Sequence, residues 1–384
     1  MTRKILIFTI LLAIPGVLEA KSGVGTFIKS LGTLIDSMTV RGVDRRYIEA
    51  PPQPWQVIAK GNINQTYLRL KSSIDGAALF SDLQGKLYWE PCIKTDPSTY
   101  AGFWVGYRGY GLGYSWNVGG DNGRIFTLGA TGGSYGINLR IHHFINDEPE
   151  VRYSGRFTID GITTPEPIEI SGTEYGHMES PIKARAMMLD GYYLFNGSRF
   201  SYAAAYDQSV IQKRSAGSFM AGIMYYHAHV DYVHDDNADF ILLMDNIGRI
   251  KQWQLNIGAG YAYNFVPCKG LLISAMVMPM VTVYNRHKTW RYDSNLRQMS
   301  IDDVEHDYDE FEDVVWQLSP EPMSVSNHHG KASLNFDGRL SMTYQWGAFF
   351  VNAYGQFNNF QYKDENVNGY LNDWYVNAAV GVRF

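Results

Sequence analysis

The 384-residue chain has only two cysteines, few charges for its length (18%) and no apolar run long enough to make a membrane helix. Two cysteines exclude a disulfide-built scaffold. The longest apolar stretch, Ile5 to Leu18, falls short of the ~20 residues a spanning helix needs. A mean hydropathy of −0.22 excludes a bundle of such helices. Basic excess is lacking too: the formal net charge is −5, so nucleic acid is not an expected partner. There is no H-E-x-x-H, no phosphate-binding loop and no dinucleotide fingerprint, and no cofactor is expected. What the chain does have is 27 Tyr, 19 Phe, 9 Trp and 38 Gly. That many aromatic groups exclude intrinsic disorder.

The first 20 residues read as a signal peptide: Arg3 and Lys4, an apolar stretch from Ile5 to Leu18, and small Ala20 before the cut. Leu18 fits the small-residue rule imperfectly, and no Cys lies nearby for lipid attachment. Cleavage removes Arg3, Lys4 and Glu19, leaving a net charge of about −6. An exported chain is expected. Residues 21–54 form a separate periplasmic segment, in which Val24, Phe27, Ile28, Leu31, Leu34 and Ile35 recur at the spacing of a short amphipathic helix. That helix plugs the barrel mouth, lies on the membrane or caps a periplasmic end, the last being the simplest.

From residue 55 onward the ruling pattern is alternation, the period of a strand with two unlike faces. From Trp253 to Phe265 odd positions carry Trp253, Leu255, Ile257, Tyr261, Tyr263 and Phe265, and even ones carry Gln254, Asn256, Gly258 and Asn264. From Lys331 to Trp346 the apolar phase is even, with Asn335, Asp337 and Arg339 on the other face. Val151, Tyr153, Phe157 and Ile159 alternate with Arg152, Ser154, Arg156 and Asp160. Strands of a soluble sandwich run ~5–6 residues. Segments of ten to sixteen residues ending in aromatic groups suit a tilted crossing of a bilayer. In lipid such strands must close, because an open edge leaves backbone groups unpaired. The expected fold is therefore all-β, a transmembrane antiparallel barrel over 55–384.

Twelve strands are expected: 56–70, 85–94, 100–117, 134–144, 151–161, 182–196, 216–231, 250–265, 271–286, 331–345, 347–361 and 370–384. The phase reverses inside 100–117, which predicts a bulge at Gly109. Short connections at 95–99, 145–150, 266–270 and around Trp346 fall on the periplasmic side. The stretches 71–84, 118–133, 162–181, 232–249 and 287–330 are the external loops. The long inner connection 197–215 breaks this asymmetry and leaves room for two more strands. The last strand alternates Trp374, Val376, Ala378, Val380, Val382 and Phe384 with polar or small residues. Such a strand ending on an aromatic residue resembles the signal read by the outer-membrane assembly machinery, in which Val376, Val380, Val382 and Phe384 take part.

Four phrases add a family resemblance: YIEAPPQPW (Tyr47–Trp55), GFWVGYRGYGLGYSW (Gly102–Trp116), YYLFN (Tyr192–Asn196) and QKRSAGS (Gln212–Ser218). Together they resemble the Bacteroides-type family catalogued as domain of unknown function 4421, over roughly residues 40–384. The resemblance implies a barrel-like envelope protein of a Gram-negative bacterium. It carries no activity and transfers no functional residue.

Candidate chemistry is sparse. Gly132-Gly133-Ser134-Tyr135-Gly136 matches G-x-S-x-G, but that motif needs a strand-turn-helix elbow, and here a strand follows. The order of residues in Ser326-Asn327-His328-His329-Gly330 is wrong for an outer-membrane phospholipase signature, so no enzyme is expected. Eight of the thirteen residues from Ile301 to Asp313 are acidic, and Asp235, Asn237 and Asp239 have the spacing of a calcium loop's start without its glycine. A solvated, self-repelling external loop is the favoured explanation of the acidic run. Cys92 and Cys268 both fall near expected periplasmic turns, where a disulfide is open to them. Facing the lumen are Arg140, His142, Arg152, Arg156 and Asp160, with Asp337 and Arg339 across from them. The three arginines make one wall basic, as a narrow pore for anionic solutes needs; a filled, salt-bridged lumen is the alternative. The sequence thus points to an outer-membrane barrel whose expected partners are the bilayer with its lipopolysaccharide and the assembly machinery. Channel, surface-binding protein and lipid-modifying enzyme remain the three readings of its role.

Overall fold

The computed structural model describes residues 42–75, 83–94, 97–120, 122–148, 150–159, 167–175, 178, 180–244, 246–298, 314–363 and 368–384. The signal peptide, the helix expected at 24–35, Asp160 and the acidic run 301–313 lie outside them. In chain order the first strands are β1 (Ile48–Glu49), β2 (Trp55–Asp75), β3 (Leu83–Lys94), β4 (Ser98–Tyr107), β5 (Tyr110–Gly119), β6 (Arg124–Thr131) and β7 (Tyr135–Asn146). Then come β8 (Glu150–Ile159), β9 (Ile168–Tyr175), β10 (Ile182–Leu194), α1 (Tyr202–Tyr206), β11 (Ile211–Gln212) and β12 (Ala216–Asp231). A short α2 (Ala238–Leu243) precedes β13 (Ile247–Cys268), β14 (Leu271–Arg291), β15 (Ser294–Gln298) and β16 (Val314–Leu318). Last are β17 (Ser324–His329), β18 (Leu334–Trp346), β19 (Phe349–Lys363) and β20 (Asn368–Arg383).

Twelve of these strands form a closed antiparallel barrel in the order β2, β4, β5, β6, β7, β10, β12, β13, β14, β18, β19, β20. Closure runs from Gln56 opposite Arg383 to Lys71 opposite Asn368. Trp55 and Phe384 exchange both backbone hydrogen bonds, at 3.1 and 3.0 Å. Among the described residues the barrel's own strands each pair on both sides, which is what a strand-built membrane span requires.

Alternation sets the two faces as expected. Outward Ile257, Tyr261, Phe265, Leu340, Tyr344, Trp346, Val376 and Val380 are all exposed, while inward Gln254, Asn256, Asn264, Asp337, Arg339 and Ser341 are buried. Such a continuous exposed apolar band is unusual for a water-facing surface and normal for a lipid-facing one. At the end carrying the tight turns, Trp55 packs edge-on against Tyr107 and Trp346 stacks with Phe349. These form one interfacial girdle, on what is by this asymmetry the periplasmic side.

The strand count stands at twelve, but its members differ from those expected. The reversal in 100–117 is a hairpin, not a bulge. Arg108 (φ 50°) and Gly109 (φ 88°) are both left-handed, which makes the two-residue turn that suits strand twist. The expected loop 118–133 contains β6. Conversely, 85–94 and 151–161 are not barrel strands. β3 pairs with the outer half of β2, where Tyr67 faces Lys94 and Asp75 faces Lys86, and β8 and β9 continue that sheet beyond the barrel rim. The inner half of β2 pairs with β4 instead. β17 lengthens the rim in the same way, on the outer half of β14.

The connection 195–215 adds no strand to the barrel. It turns back into the periplasmic mouth as α1, capped by Ser201, whose Oγ accepts from Ala204 N at 3.1 Å. Alanines at 203–205 let the helix seat against Ile48, Val210 and Leu272. β11 pairs with β1, so the segment before the barrel helps hold the plug.

Candidate functional site

The lumen is where inward polar side chains converge, and most of it is filled. Arg339 of β18 donates to both carboxylate oxygens of Asp337, at 3.2 and 3.0 Å, and its Nη2 lies 3.2 Å from Asp190 Oδ1 on β10. Tyr192 donates to Asp337 at 2.8 Å, and Arg339 also binds the hydroxyls of Tyr192 and Tyr202. Tyr202 belongs to α1, so this network ties the plug to the walls. Asn138 completes it, donating to Asp190 at 2.7 Å and to Tyr202 at 3.1 Å. A second pair joins Arg140 to Asp373, which also accepts from Thr66 at 3.1 Å. His142 meets the Tyr100 hydroxyl at 2.8 Å. Another part of the lumen is sulfur-rich: Met220, Met224, Met276, Met278 and Met280 are all buried to within 1%. Gly222, Gly258 and Gly260 leave room for the last two. Unbranched thioethers suit such an irregular gap.

Hydrogen bonds seat the plug at the mouth. Asn264 donates to Ser201 O at 2.8 Å, Gln56 to Asp207 O at 2.7 Å and Arg383 to Gln208 O at 2.7 Å. The Asp207 carboxylate accepts from Ser209 N at 2.8 Å and from the Thr131 hydroxyl. Burial pushes the Asp207 carboxyl above the ordinary carboxylate range, while its hydrogen bonds with Ser209 and Thr131 pull the other way.

Between plug and wall lies a cavity of about 140 Å³ lined by Lys60, Trp104, Arg140, Asp190, Tyr202 and Arg339, among others. Lys60 is its unusual member. Its amine donates to Thr127 Oγ1 at 3.3 Å and stands 5.9 Å from the Trp104 ring centre. Among the described residues no acid pairs with it. The Trp104 Nε1 and Asn377 Nδ2 donors, in the same lining, also have no partner among the described residues.

These placements revise the expected site. Arg140, His142, Asp337 and Arg339 face the lumen. Arg152 and Arg156 do not: they stand on β8, outside the barrel, and pair with Glu150 and with Glu169 (3.6 Å). The basic wall of three arginines therefore does not exist. Asp160 falls outside the described residues. Of the residues with calcium-loop spacing, Asn237 donates its amide nitrogen to Ser180 O (2.8 Å) and Tyr232 O (3.0 Å), and Asp235 accepts from Leu318 N. Among the described residues no group of three His, Cys, Asp or Glu is placed to hold a metal. Ser134 sits in the turn entering β7 and makes no elbow. Cys92 lies on β3 at the outer rim and Cys268 at the periplasmic end of β13; both are free thiols. Lys60 escaped the sequence reading, although its phase shared with Gln56, Asn62 and Asn64 already marked it as inward.

Residues 43–384 match the family described as Domain of unknown function (DUF4421). The chain belongs to that family. No curated protein matches it. Among solved structures, the outer membrane protease OmpT from Escherichia coli is similar at 8% identity and TM-score 0.38, over 87% of this chain and 97% of that one. The translocator domain of the autotransporter NalP from Neisseria meningitidis is similar at 10% identity and TM-score 0.30, over 94% and 98%. The COG4313 outer membrane channel from Pseudomonas putida F1 is similar at 10% identity and TM-score 0.27, over 88% and 97%. At these values the likeness is one of general architecture.

Proposed function

We propose that this barrel sits in an outer membrane and passes a small anionic solute through a lumen that the 195–215 segment holds shut at rest. The observation that carries this reading is Lys60. A half-buried ammonium without a counter-charge is costly, and inside a membrane protein an unpaired ionisable group points to a solute or ion path. Arg140 and Arg339 are matched by Asp373, Asp190 and Asp337 and so serve the wall's stability. Lys60 is left over, beside two donors without a partner among the described residues, in the cavity between plug and wall. The plug is seated by a handful of hydrogen bonds, each worth about 0.5–1.5 kcal/mol net, so release lies within reach of a modest bias.

Planar-bilayer recording tests this. The wild-type barrel is expected to be nearly silent, with rare openings. Gln56→Ala with Asn264→Ala, which unseats the plug, is expected to conduct steadily and to prefer anions by reversal potential. Adding Lys60→Gln removes that preference. An unseated barrel that is silent, or that conducts without preference, overturns the proposal.

One observation favours a second reading. β3, β8 and β9 form a sheet standing outside the barrel, with Ile168 and Ile170 exposed on it. A surface-binding envelope protein without a pore would use that sheet, and a silent plug-weakened variant turns the assignment to it.

A further inference from the structure

The outer wall carries a feature that the lumen does not explain. Arg124 on β6 is opposite His143 on β7, His143 opposite Arg185 on β10, and Arg185 opposite His229 on β12. His229 is opposite Lys251 on β13, and Lys251 opposite Lys288 on β14. The register thus places six basic side chains in one row across six consecutive strands, half the circumference. All six share the outward phase: two residues along each strand, the same face shows Phe126, Ile141, Met187, His227, Trp253 and Arg286. The row lies about 6–7 Å along the strand beyond the Trp253 level, on the side away from the tight turns. That is where an outer aromatic girdle gives way to headgroups.

A histidine separates Arg124 from Arg185 and Arg185 from Lys251, so Lys251 and Lys288 are the directly opposed pair of permanent cations in the row. Like charges with Cβ atoms about 4.5–5.5 Å apart are destabilising, which gives that pair a standing cost. Among the described residues the one acid on the outward face of these six strands is Asp231, and Arg249 already holds it at 2.8 Å. His229 Nε2 is buried with no partner among the described residues. It lines a cleft of about 600 Å³ on the outer wall together with His143, Lys183, Arg185 and Arg249. Beside it, Lys288 and Lys251 place their amines 4.6 and 5.4 Å from the Trp290 ring centre. The other half of the wall shows amides toward the same end: Asn359 donates to Asn372 at 2.6 Å and Trp374 to Gln65 at 3.2 Å. Beyond those amides, Arg69 and Lys71 of β2 are both paired with Glu90, so the basic row without acidic partners is one-sided.

We propose that this row and cleft bind the phosphates of a phosphorylated outer-leaflet glycolipid, held laterally against β6 to β14. The proposal rests on the outer-membrane placement argued above and is independent of whether the lumen conducts. A soluble anionic protein does not fit, because the row runs along the bilayer boundary, where lipid and not solvent is the lateral neighbour. The chain's overall negative charge makes the local excess of cations selective rather than general.

The test is lipid retention, not conductance. The barrel is refolded in detergent with bis-phosphorylated lipid A, washed, and the retained lipid per barrel counted by native mass spectrometry. Wild type is expected to retain lipid A, to lose at least 10-fold when the lipid is dephosphorylated, and to lose a similar factor when salt rises from ~0.05 to ~0.5 M. Arg124→Gln with Arg185→Gln, Lys251→Gln and Lys288→Gln is expected to lose at least 10-fold while keeping heat-modifiable mobility. Arg69→Gln with Lys71→Gln, on β2 in the other half, keeps retention. Equal retention of dephosphorylated lipid, equal retention by the fourfold variant, or an equal loss in the β2 variant overturns the proposal. So does full displacement by millimolar inorganic phosphate, which would make the ligand a free anion. The dephosphorylation and salt arms decide the matter on wild type even where the fourfold variant fails to fold.

Discussion

Arg339 is clamped between two aspartates from different strands, its Nη2 3.2 Å from Asp190 Oδ1 and 3.0 Å from Asp337 Oδ2. All three are buried. The cation is what allows two carboxylates to share this lumen, and a further partner, Tyr202, belongs to the plug. Arg339→Met leaves both aspartates unpaired in a buried site. Breaking such a pair costs about 3–5 kcal/mol, and that loss is expected in the barrel's denaturant midpoint. Arg339→Met with Asp190→Asn and Asp337→Asn removes all three charges and is expected to recover most of it. A single variant as stable as wild type would show that the clamp does not hold the lumen together.

Faces were legible in the sequence; membership was not. The phase of Gln252–Phe265 assigned every lumenal and lipid-facing residue of β13 correctly, because period two depends only on local geometry. The same signal placed Arg152 and Arg156 in a pore wall. β8 alternates too, with Phe157 buried and Arg156 exposed, but its pairing partners are β3 and β9 above the rim. Alternation reports two unlike faces, not what each one touches. The hairpin at Arg108–Gly109 was read as a bulge because both devices reverse phase, and only the two positive φ values distinguish them. Site pairing was out of reach: Arg140 and Asp373 are 233 residues apart, and nothing local couples them.

Asp207 gives the plug a pH dependence. Burial raises its carboxyl above the ordinary range, so the neutral form is favoured while the plug is seated. Below the ordinary carboxylate pKa, seated and released forms are both protonated and seating is firmest. As pH rises through the raised value the seated form must ionise where it is buried, and seating weakens. Openings of the wild-type barrel are therefore expected to become more frequent as pH rises above about 4, the ordinary aspartate value. Asp207→Asn stays neutral throughout and is expected to show a flat profile. A wild-type profile that is flat, or that falls with pH, rejects this role.

Two glycines separate packing from tolerance. A Cβ added at Gly102 of β4 would run into the Tyr114 carbonyl and lie 2.7 Å from Ser115 Cα, both backbone. At Gly61 of β2 the nearest atom is Tyr100 O at 3.9 Å. Gly102→Ala is expected to cost at least the ~1–3 kcal/mol of an overpacked core, because backbone has to move. Gly61→Ala is expected to stay within about 0.5 kcal/mol. Urea midpoints in lipid vesicles distinguish the two, and equal midpoints would contradict the close packing of β4 on β5.

Phe384 tests the terminal signal. Its backbone closes the barrel against Trp55, while its ring is 59% exposed on the lipid-facing side. A side chain with so little protein contact contributes little to the finished fold. Phe384→Ala is therefore expected to refold in vitro with nearly wild-type yield and midpoint. If the assembly machinery reads the terminal ring together with Val376, Val380 and Val382, the same variant accumulates poorly in outer membranes. The informative quantity is the ratio of the two yields. A variant that falls equally in both assays assigns Phe384 a structural role, and one that falls in neither removes it from the signal.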